Sequence, residues 1–430
     1  MINKLIYSVG AKIRNPNIFH HYSFLKKTES WSINELENYQ LNRLKKLIEF
    51  AYEYSNYYNQ LFNSIKLVPK DISNLADLRK IPTIDKNTLI KENSRIRTEF
   101  QFKKSFFSET SGSSGQVLKF YKDENWDSFN RASIMRGYSW YNVKPWERNG
   151  YFWGYNISPN KRWKIKLLDA LQNRFRVFTY DEEDIKHFAK KLQKASYVEG
   201  YSSMIYEVAK IINSADDIKN LHFDLKMVKG TSEKIFESYQ PEVKKAFGQK
   251  LISEYGAAES GIIAFECPEG NMHINMEGVI VEEIENEIVV TNLLSKSFPI
   301  IRYKLGDYIK MKPKNYRCSC GMKHPVIESV LGRVGKLIYG KKHSYPSLTF
   351  YYVFKNIALN DKIELNYQAI QEKIGELLIY IEQSIDKNIY DLIEREMIKY
   401  FKTDIDYHIM DNQVLHQKNG KLMDFISKIN

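Results

Sequence analysis

Between Tyr151 and Gly256 the chain alternates short apolar runs with segments of helical spacing, and this order does most to limit its fold. Tyr151–Tyr155, Leu225–Lys229 and Lys250–Tyr255 read as strands, the last two ending at Gly230 and Gly256. Asp184–Lys194 and Ser202–Ile212 read as helices between them. Alternation of this kind predicts α/β layers built on parallel strands. In such sheets a ligand binds at the loops beyond the strand ends.

The flanking segments extend this frame. Ser32 to Leu61 carries helical periodicity, with Ser32 as N-cap and Glu35 three residues on as a capping box. Asp85 starts a further helix, and Glu124–Tyr141 reads as another. From Gly278 to Lys312 alternation and turns, such as Glu287–Thr291, predict a β-rich subdomain. A boundary falls near Gly332–Gly335. Beyond it Tyr345–Pro346 opens a helix, Ile363–Ile370 and Glu376–Ile381 are strands, Asn388–Phe401 is a helix and Tyr407–Met410 a last strand. The expected fold class is α/β: a large N-terminal multi-sheet α/β domain (residues 1–334) with a β-rich subdomain, plus a small C-terminal α+β domain (residues 335–430) joined by a hinge.

The chain has 430 residues, more than one simple core requires. Its net charge of +12 suits anionic ligands such as nucleotides, or a loose attraction to an anionic membrane surface. Lys and Arg are interspersed with Asp and Glu rather than blocked, which argues against nucleic acid as partner. No apolar run reaches the ~18 residues of a membrane span. The apolar stretch within Met1–Lys12 is too short for a signal peptide and lacks a small-residue cleavage site. Three cysteines make no disulfide framework, and the expected compartment is the cytoplasm.

Thr110-Ser111-Gly112-Ser113-Ser114-Gly115 lies between two strand-like runs, Ser105–Phe107 and Val117–Tyr121. Glycine lets the backbone approach a ligand closely. Hydroxyls and successive N–H groups make an anion-binding nest, so a polyphosphate is the expected guest; an ordinary turn is the alternative. Gln116 follows the last glycine, so the loop is not a Walker motif. Tyr255-Gly256-Ala257-Ala258-Glu259 ends a strand with an aromatic suited to stacking on a base and a carboxylate suited to Mg²⁺ beside a phosphate. Asp307 follows a turn in Arg302–Asp307, where a carboxylate accepts both hydroxyls of a ribose. Each of these residues equally serves a plain turn.

The cysteines gather in one region as Cys267-x5-His273 and Cys318-x-Cys320. A Cys3His set suits tetrahedral Zn²⁺, and three buried free thiols are the alternative. His324 is a second candidate for the fourth ligand.

Taken in order, these segments resemble the adenylate-forming superfamily of acyl-CoA synthetases, peptide-synthetase adenylation domains and luciferases. The phenylacetate–CoA ligase branch, with its CapK-type members linked to capsular polysaccharide, is the closest likeness. It is carried by Glu254–Glu259, Ala264–Cys267, His273-Ile274, Val290-Thr291, Pro299–Asp307, Cys318–Gly321 and Gly332-Arg333, and runs from about residue 75 to the end. The resemblance implies that Thr110–Gly115 cradles the ATP phosphates. Gly230 to Glu233 and Glu254 to Gly256 would line the adenine, with Tyr255 stacking. Glu259 would hold Mg²⁺, Asp307 the ribose, and Arg333 the ribose and phosphates. Lys336 falls at the family's hinge, and Lys421 resembles the catalytic lysine of the small domain. Three positions depart from the pattern: Val117 replaces a proline, Ala258 replaces the Ser or Thr that contacts phosphate, and Gln417–Gly420 matches loosely.

The implied activity is an ATP-dependent ligase that turns a carboxylic acid into an acyl-AMP and passes the acyl group to CoA or to an amine, such as an amino sugar of a surface polysaccharide. A non-catalytic nucleotide-binding or scaffold relative is the competing class.

Overall fold

The computed structural model describes residues 2–429 except 111–116, 153–158, 178–181, 233–234, 236–238, 331–336, 364, 416, 419–420 and 423–424. The chain divides into two compact units, Met1–Ser108 with Lys119–Arg333, and Glu109–Leu118 with Val334–Asn430.

The first unit opens with helices α1 (Ile2–Arg14), α2 (Ile18–Thr28), α3 (Ile33–Tyr54), α4 (Asn56–Ser64), α5 (Lys86–Lys91) and α6 (Asn93–Ile96). Strands β1 (Ser105–Glu109) and β2 (Lys119–Asp123) pair with each other, and helix α7 (Glu124–Trp140) follows. Then come β3 (Asn149–Phe152), α8 (Pro159–Leu171), β4 (Arg174–Arg176), α9 (Glu182–Leu192), β5 (Tyr197–Tyr201), α10 (Ser202–Ser214), β6 (Met227–Thr231), α11 (Tyr239–Phe247) and β7 (Leu251–Ala257). The rest of the unit is strand: β8 (Gly261–Glu266), β9 (Met272–Ile274), β10 (Val279–Ile284), β11 (Glu287–Asn292), β12 (Tyr303–Met311) and β13 (Val326–Val330).

Strands β3 to β13 align in the order β10-β11-β12-β13-β9-β8-β7-β6-β5-β3-β4. The segment from β4 to β7 is parallel, as the sequence alternation predicts, because a helical crossover separates each strand from the next. From β7 through β8 and β9 to β13, β12, β11 and β10 the pairing is antiparallel. The change of direction falls at the β7–β8 hairpin, the segment that holds Tyr255 to Glu259.

Helix boundaries depart from expectation where a side chain competes for the backbone. The periodicity over Ser32–Leu61 is broken at Ser55, which turns extended, accepts from the Tyr58 amide and donates its hydroxyl to the Ile96 carbonyl at 2.9 Å. The Ser32–Glu35 capping box is present as expected. Asp307 lies inside β12 rather than after a turn, because Gly306, at φ +89°, bends the strand without ending it. After β6 the next helix among the described residues is α11, from Tyr239.

In the second unit β14 (Leu337–Tyr339) pairs with β15 (Ser344–Pro346), so Pro346 ends a strand, and helix α12 (Leu348–Asn360) begins two residues later. Strands β16 (Tyr367–Gln371) and β17 (Glu376–Ile381), helix α13 (Lys387–Phe401) and strand β18 (Asp406–Met410) follow, then β19 (Gln417–Lys418), β20 (Lys421–Leu422) and β21 (Phe425–Ser427). The sheet runs β18-β17-β16-β21. Its first predicted strand is confined to Tyr367–Gln371. The Asp404 carboxylate accepts from the Lys342 and His343 amides (2.8 and 3.0 Å) and from the Tyr345 hydroxyl (2.9 Å), which fixes the β14–β15 hairpin.

Candidate functional site

The β7–β8 hairpin is tight because of glycine. A Cβ at Gly256 would collide with the Gly261 carbonyl and lie 3.1 Å from Ile262 Cα, and Gly261 itself sits at φ +77°. Asn292 Nδ2 donates to the Ser260 and Glu259 carbonyls (3.0 and 3.4 Å) and the Asn130 side-chain oxygen accepts from the Ile262 amide (2.8 Å). The turn that carries Glu259 is therefore clamped from two sides.

Glu259 is 5% exposed, and its Oε1 accepts the Tyr303 hydroxyl of β12 at 3.0 Å. Lys122 of β2 is buried nearby, its ammonium 5.5 Å from the Trp126 ring. Burial lowers its pKa, while Asp127 and Glu259 act in the opposite direction. Trp126 Nε1 and Ser260 Oγ are buried without a hydrogen-bond partner among the described residues. Buried donors of this kind cost free energy unless a ligand or water meets them.

Four residues earlier, within β7, Tyr255 donates its hydroxyl to Asp307 Oδ2 at 2.9 Å. Two residues far apart in sequence, expected at the adenine and at the ribose, are thus joined directly. Arg302 of the same motif points elsewhere, its fork on Glu282 at 2.9 and 3.0 Å.

Glu254 belongs to a buried charge chain. Lys229 of β6 lies between Glu254 (2.7 Å) and Glu199 (3.1 Å), and Arg174 reaches the other Glu199 oxygen at 3.0 Å. Burial alone would lower the lysine; the two carboxylates win and raise it. Burial would likewise raise Glu199, and Lys229 and Arg174 pull it down. Glu254 is thus ion-paired to the lysine of the neighbouring strand. Gly230, beside Lys229, packs so closely on Ser202 that a Cβ would clash with its hydroxyl.

Thr110 exchanges two bonds with Leu118, amide to carbonyl and Leu118 amide to Thr110 hydroxyl, each 3.0 Å. Ser111, Gly112, Ser113, Ser114 and Gly115 lie outside the described residues, as do Glu233, Arg333 and Lys336. Lys421 stands in β20, opposite Lys418, and its side chain lies outside the description.

The second cluster is the thiol set. The ligand atoms of Cys267, His273, Cys318 and Cys320 all lie within 4.8 Å of one another. Cys267 and Cys318 sulfurs are 3.7 Å apart, and Cys320 Sγ is 3.2 Å from His273 Nε2. A tetrahedral Zn²⁺ with bonds near 2.0–2.3 Å places its ligand atoms about 3.3–3.8 Å apart, so small side-chain shifts would bring this donor set onto such an ion. His273 Nδ1 donates to the His324 carbonyl at 3.0 Å, which leaves Nε2 with its lone pair toward the sulfurs. Burial lowers the His273 pKa to about 4, keeping the ring neutral, and pushes the Cys267 thiol up to about 12. His324 is not a ligand here: its Nε2 donates to Glu277 Oε1 at 3.0 Å, and its contribution to the cluster is its carbonyl.

That bond leads to an ion pair under the cluster. Glu277 is fully buried, and its Oε1 accepts from Arg136 Nη1 at 2.7 Å and from Thr28 as well as His324. Sequence reading assigned no role to Arg136, Glu277, Lys229, Glu199, Tyr303 or Lys122. Lys229 and Glu199 were visible as charges inside apolar strands, Leu225–Gly230 and Tyr197–Tyr201, a placement that requires a partner. Nothing local marks Arg136 or Glu277, whose pairing depends on the packing of α7.

No family model matches the chain. It is 24% identical to Protein CapK of Staphylococcus aureus over 442 residues, covering 98% of this chain and 96% of that protein. Among solved structures it resembles 2-hydroxyisobutyryl-CoA ligase in complex with 2-HIB-AMP and CoA in the thioesterification state, with TM-score 0.66, 14% identity and coverage of 94% and 91%. The same ligase in its postadenylation state with R3-HIB-AMP gives TM-score 0.60 at 14% identity, with coverage of 94% and 92%. The chain has the fold of these adenylate-forming CoA ligases, and the likeness read from its motifs, including the CapK branch, is borne out.

Proposed function

We propose that this protein is an adenylate-forming ligase that activates a carboxylic acid with ATP and transfers the acyl group to CoA or to an amine. The observation that carries the reading is the convergence at one hairpin: Tyr255 bonded to Asp307, and Glu259 bonded to Tyr303, at the point where the sheet changes from parallel to antiparallel. The fold, shared with a ligase solved with an acyl-AMP and CoA, supports it.

In the first half-reaction a carboxylate oxygen attacks the α-phosphorus and pyrophosphate leaves. Positioning and charge neutralisation carry such a step. The Asp307 carboxylate accepts the ribose hydroxyls, Tyr255 faces the base, and Thr110–Gly115 with Arg333 takes the phosphates. Lys421 bridges the two anions that must meet. Mg²⁺, when bound at Glu259, supplies positive charge beside the phosphates. In the second half-reaction the acceptor attacks the acyl carbon and AMP leaves. Residues 335–430 turn about the Gly335–Lys336 hinge between the two. The CapK likeness favours an amino-sugar acceptor in surface polysaccharide assembly, and the CoA ligase likeness favours CoA. The reaction belongs in the cytoplasm, where ATP is supplied and thiols stay reduced.

We also propose that Cys267, His273, Cys318 and Cys320 hold one structural Zn²⁺, which ties the β8–β9 hairpin to the loop before β13.

ATP–pyrophosphate exchange over a panel of carboxylic acids tests the ligase reading, followed by acceptor trials with CoA and amino sugars. Label exchange that depends on one class of acid is expected. Bound nucleotide without exchange for any acid would instead indicate a non-catalytic relative, the outcome that Ala258, with no hydroxyl for phosphate, favours.

A further inference from the structure

Helix α1 is built against the usual rule. A surface helix buries its aliphatic stripe and exposes its polar face. Here Ile2, Leu5, Ile6, Val9 and Ile13 fall on one face and all are exposed, from 36% at Ile6 to 72% at Ile13. The helix packs instead through Tyr7, whose ring lies 5.8 Å from Trp146. Helix α8, which touches α1, is inverted in the same way. It buries Asp169, held by the Arg176 fork at 2.5 and 2.7 Å, and exposes Trp163, Leu167, Leu168 and Leu171. Exposed apolar side chains gathered on two adjoining helices mark an interaction surface.

Charge decides what covers it. Helix α1 carries Lys4, Lys12 and Arg14 and no acid. Helix α8 carries Arg162, Lys164 and Lys166, and its one acid, Asp169, is turned inward. A second copy docked by a two-fold axis would place this basic rim against itself. An anionic lipid surface offers both an apolar layer for the aliphatics and charge for the lysines, and a tryptophan suits its boundary. No helix among the described residues is long and apolar enough to cross a membrane.

We propose that α1 and α8 together form a peripheral docking face for an anionic phospholipid membrane, on which the protein lies without spanning it. The proposal is independent of the ligase reading.

The test is co-sedimentation of the full chain with vesicles of phosphatidylcholine alone and of phosphatidylcholine mixed with phosphatidylglycerol. Binding to the mixed vesicles only, weakened by salt, is expected. Each lysine near such a surface contributes about fivefold in affinity, so K12Q/K164Q lowers binding about 25-fold. L5S/L167S abolishes it, with melting temperature unchanged in both variants. The proposal fails if the wild type ignores anionic vesicles, if binding is equal without phosphatidylglycerol, or if both variants bind as the wild type does. It also fails if sedimentation velocity finds a lipid-free dimer that L5S/L167S disrupts, which gives the face to a second copy.

Discussion

Replacing Arg136 by Met should cost about 3–5 kcal/mol and reverse the pH dependence of stability in mild acid, because it breaks a buried pair from one side. Arg136 is 4% exposed and makes two short bonds, to Glu277 Oε1 and Asn275 Oδ1, each 2.7 Å. Bonds to charged groups contribute about 1.5–3 kcal/mol apiece, and breaking a buried pair costs about 3–5 kcal/mol, so the two routes agree. Methionine keeps much of the stem volume, and the loss is therefore electrostatic. Burial alone would push the Glu277 carboxyl up; Arg136, then His324 and Thr28, more than offset this and hold it well below the usual carboxylate range. A depressed carboxyl stabilises the fold above its unfolded pKa of about 4.3 and loses that contribution as pH falls through the folded value. Without Arg136 the burial effect prevails and the folded pKa rises. The contribution is then present below about pH 4.3 and lost as pH increases. Urea titrations followed by tryptophan fluorescence suit the test, since Trp140 lies 5.7 Å from the guanidinium. The R136M/E277Q pair should recover at least ~1.5 kcal/mol, the least expected for one such bond. A cost below ~1 kcal/mol, or the wild-type pH slope retained in R136M, would refute the reasoning.

Tyr303→Phe removes the hydroxyl bonded to Glu259 at 3.0 Å; a bond of about 1.5–3 kcal/mol predicts a KM for Mg·ATP raised about tenfold or more, with the KM for the acyl acceptor unmoved. Lys421→Ala should slow pyrophosphate exchange about 10²–10³-fold while transfer from preformed acyl-AMP persists; equal loss of both would count against its role. Protein purified without chelator should carry stoichiometric zinc by mass spectrometry, and Cys318→Ser should lose it with a drop in melting temperature; a metal-free wild type ends that proposal.

Strand and helix alternation made the parallel half of the sheet legible, because each crossover leaves its own periodicity in the chain. The motif at Glu254–Glu259 and the Cys/His spacing were legible because glycines and thiols have few other uses. Helix ends were harder: Ser55 acts through a single local geometry that periodicity does not record. Asp307 looked like a turn residue because Gly306 looks like a turn, and only pairing with β11 and β13 makes that segment a strand. The supports of the site were hidden for a different reason. Tyr303 reaches Glu259, Lys229 reaches Glu254, and Glu277 reaches His324 only after strands distant in sequence are neighbours.

The central claim is that Tyr255, Glu259 and Asp307 serve one bound ATP. ATP–pyrophosphate exchange with the accepted acid, compared between wild type, Glu259→Gln and Asp307→Asn, addresses it most directly. Exchange in the wild type and a loss of about 10²-fold or more in both variants, with folding intact by circular dichroism, is the predicted result. Undiminished exchange in either variant, or none in the wild type with any acid, would contradict it.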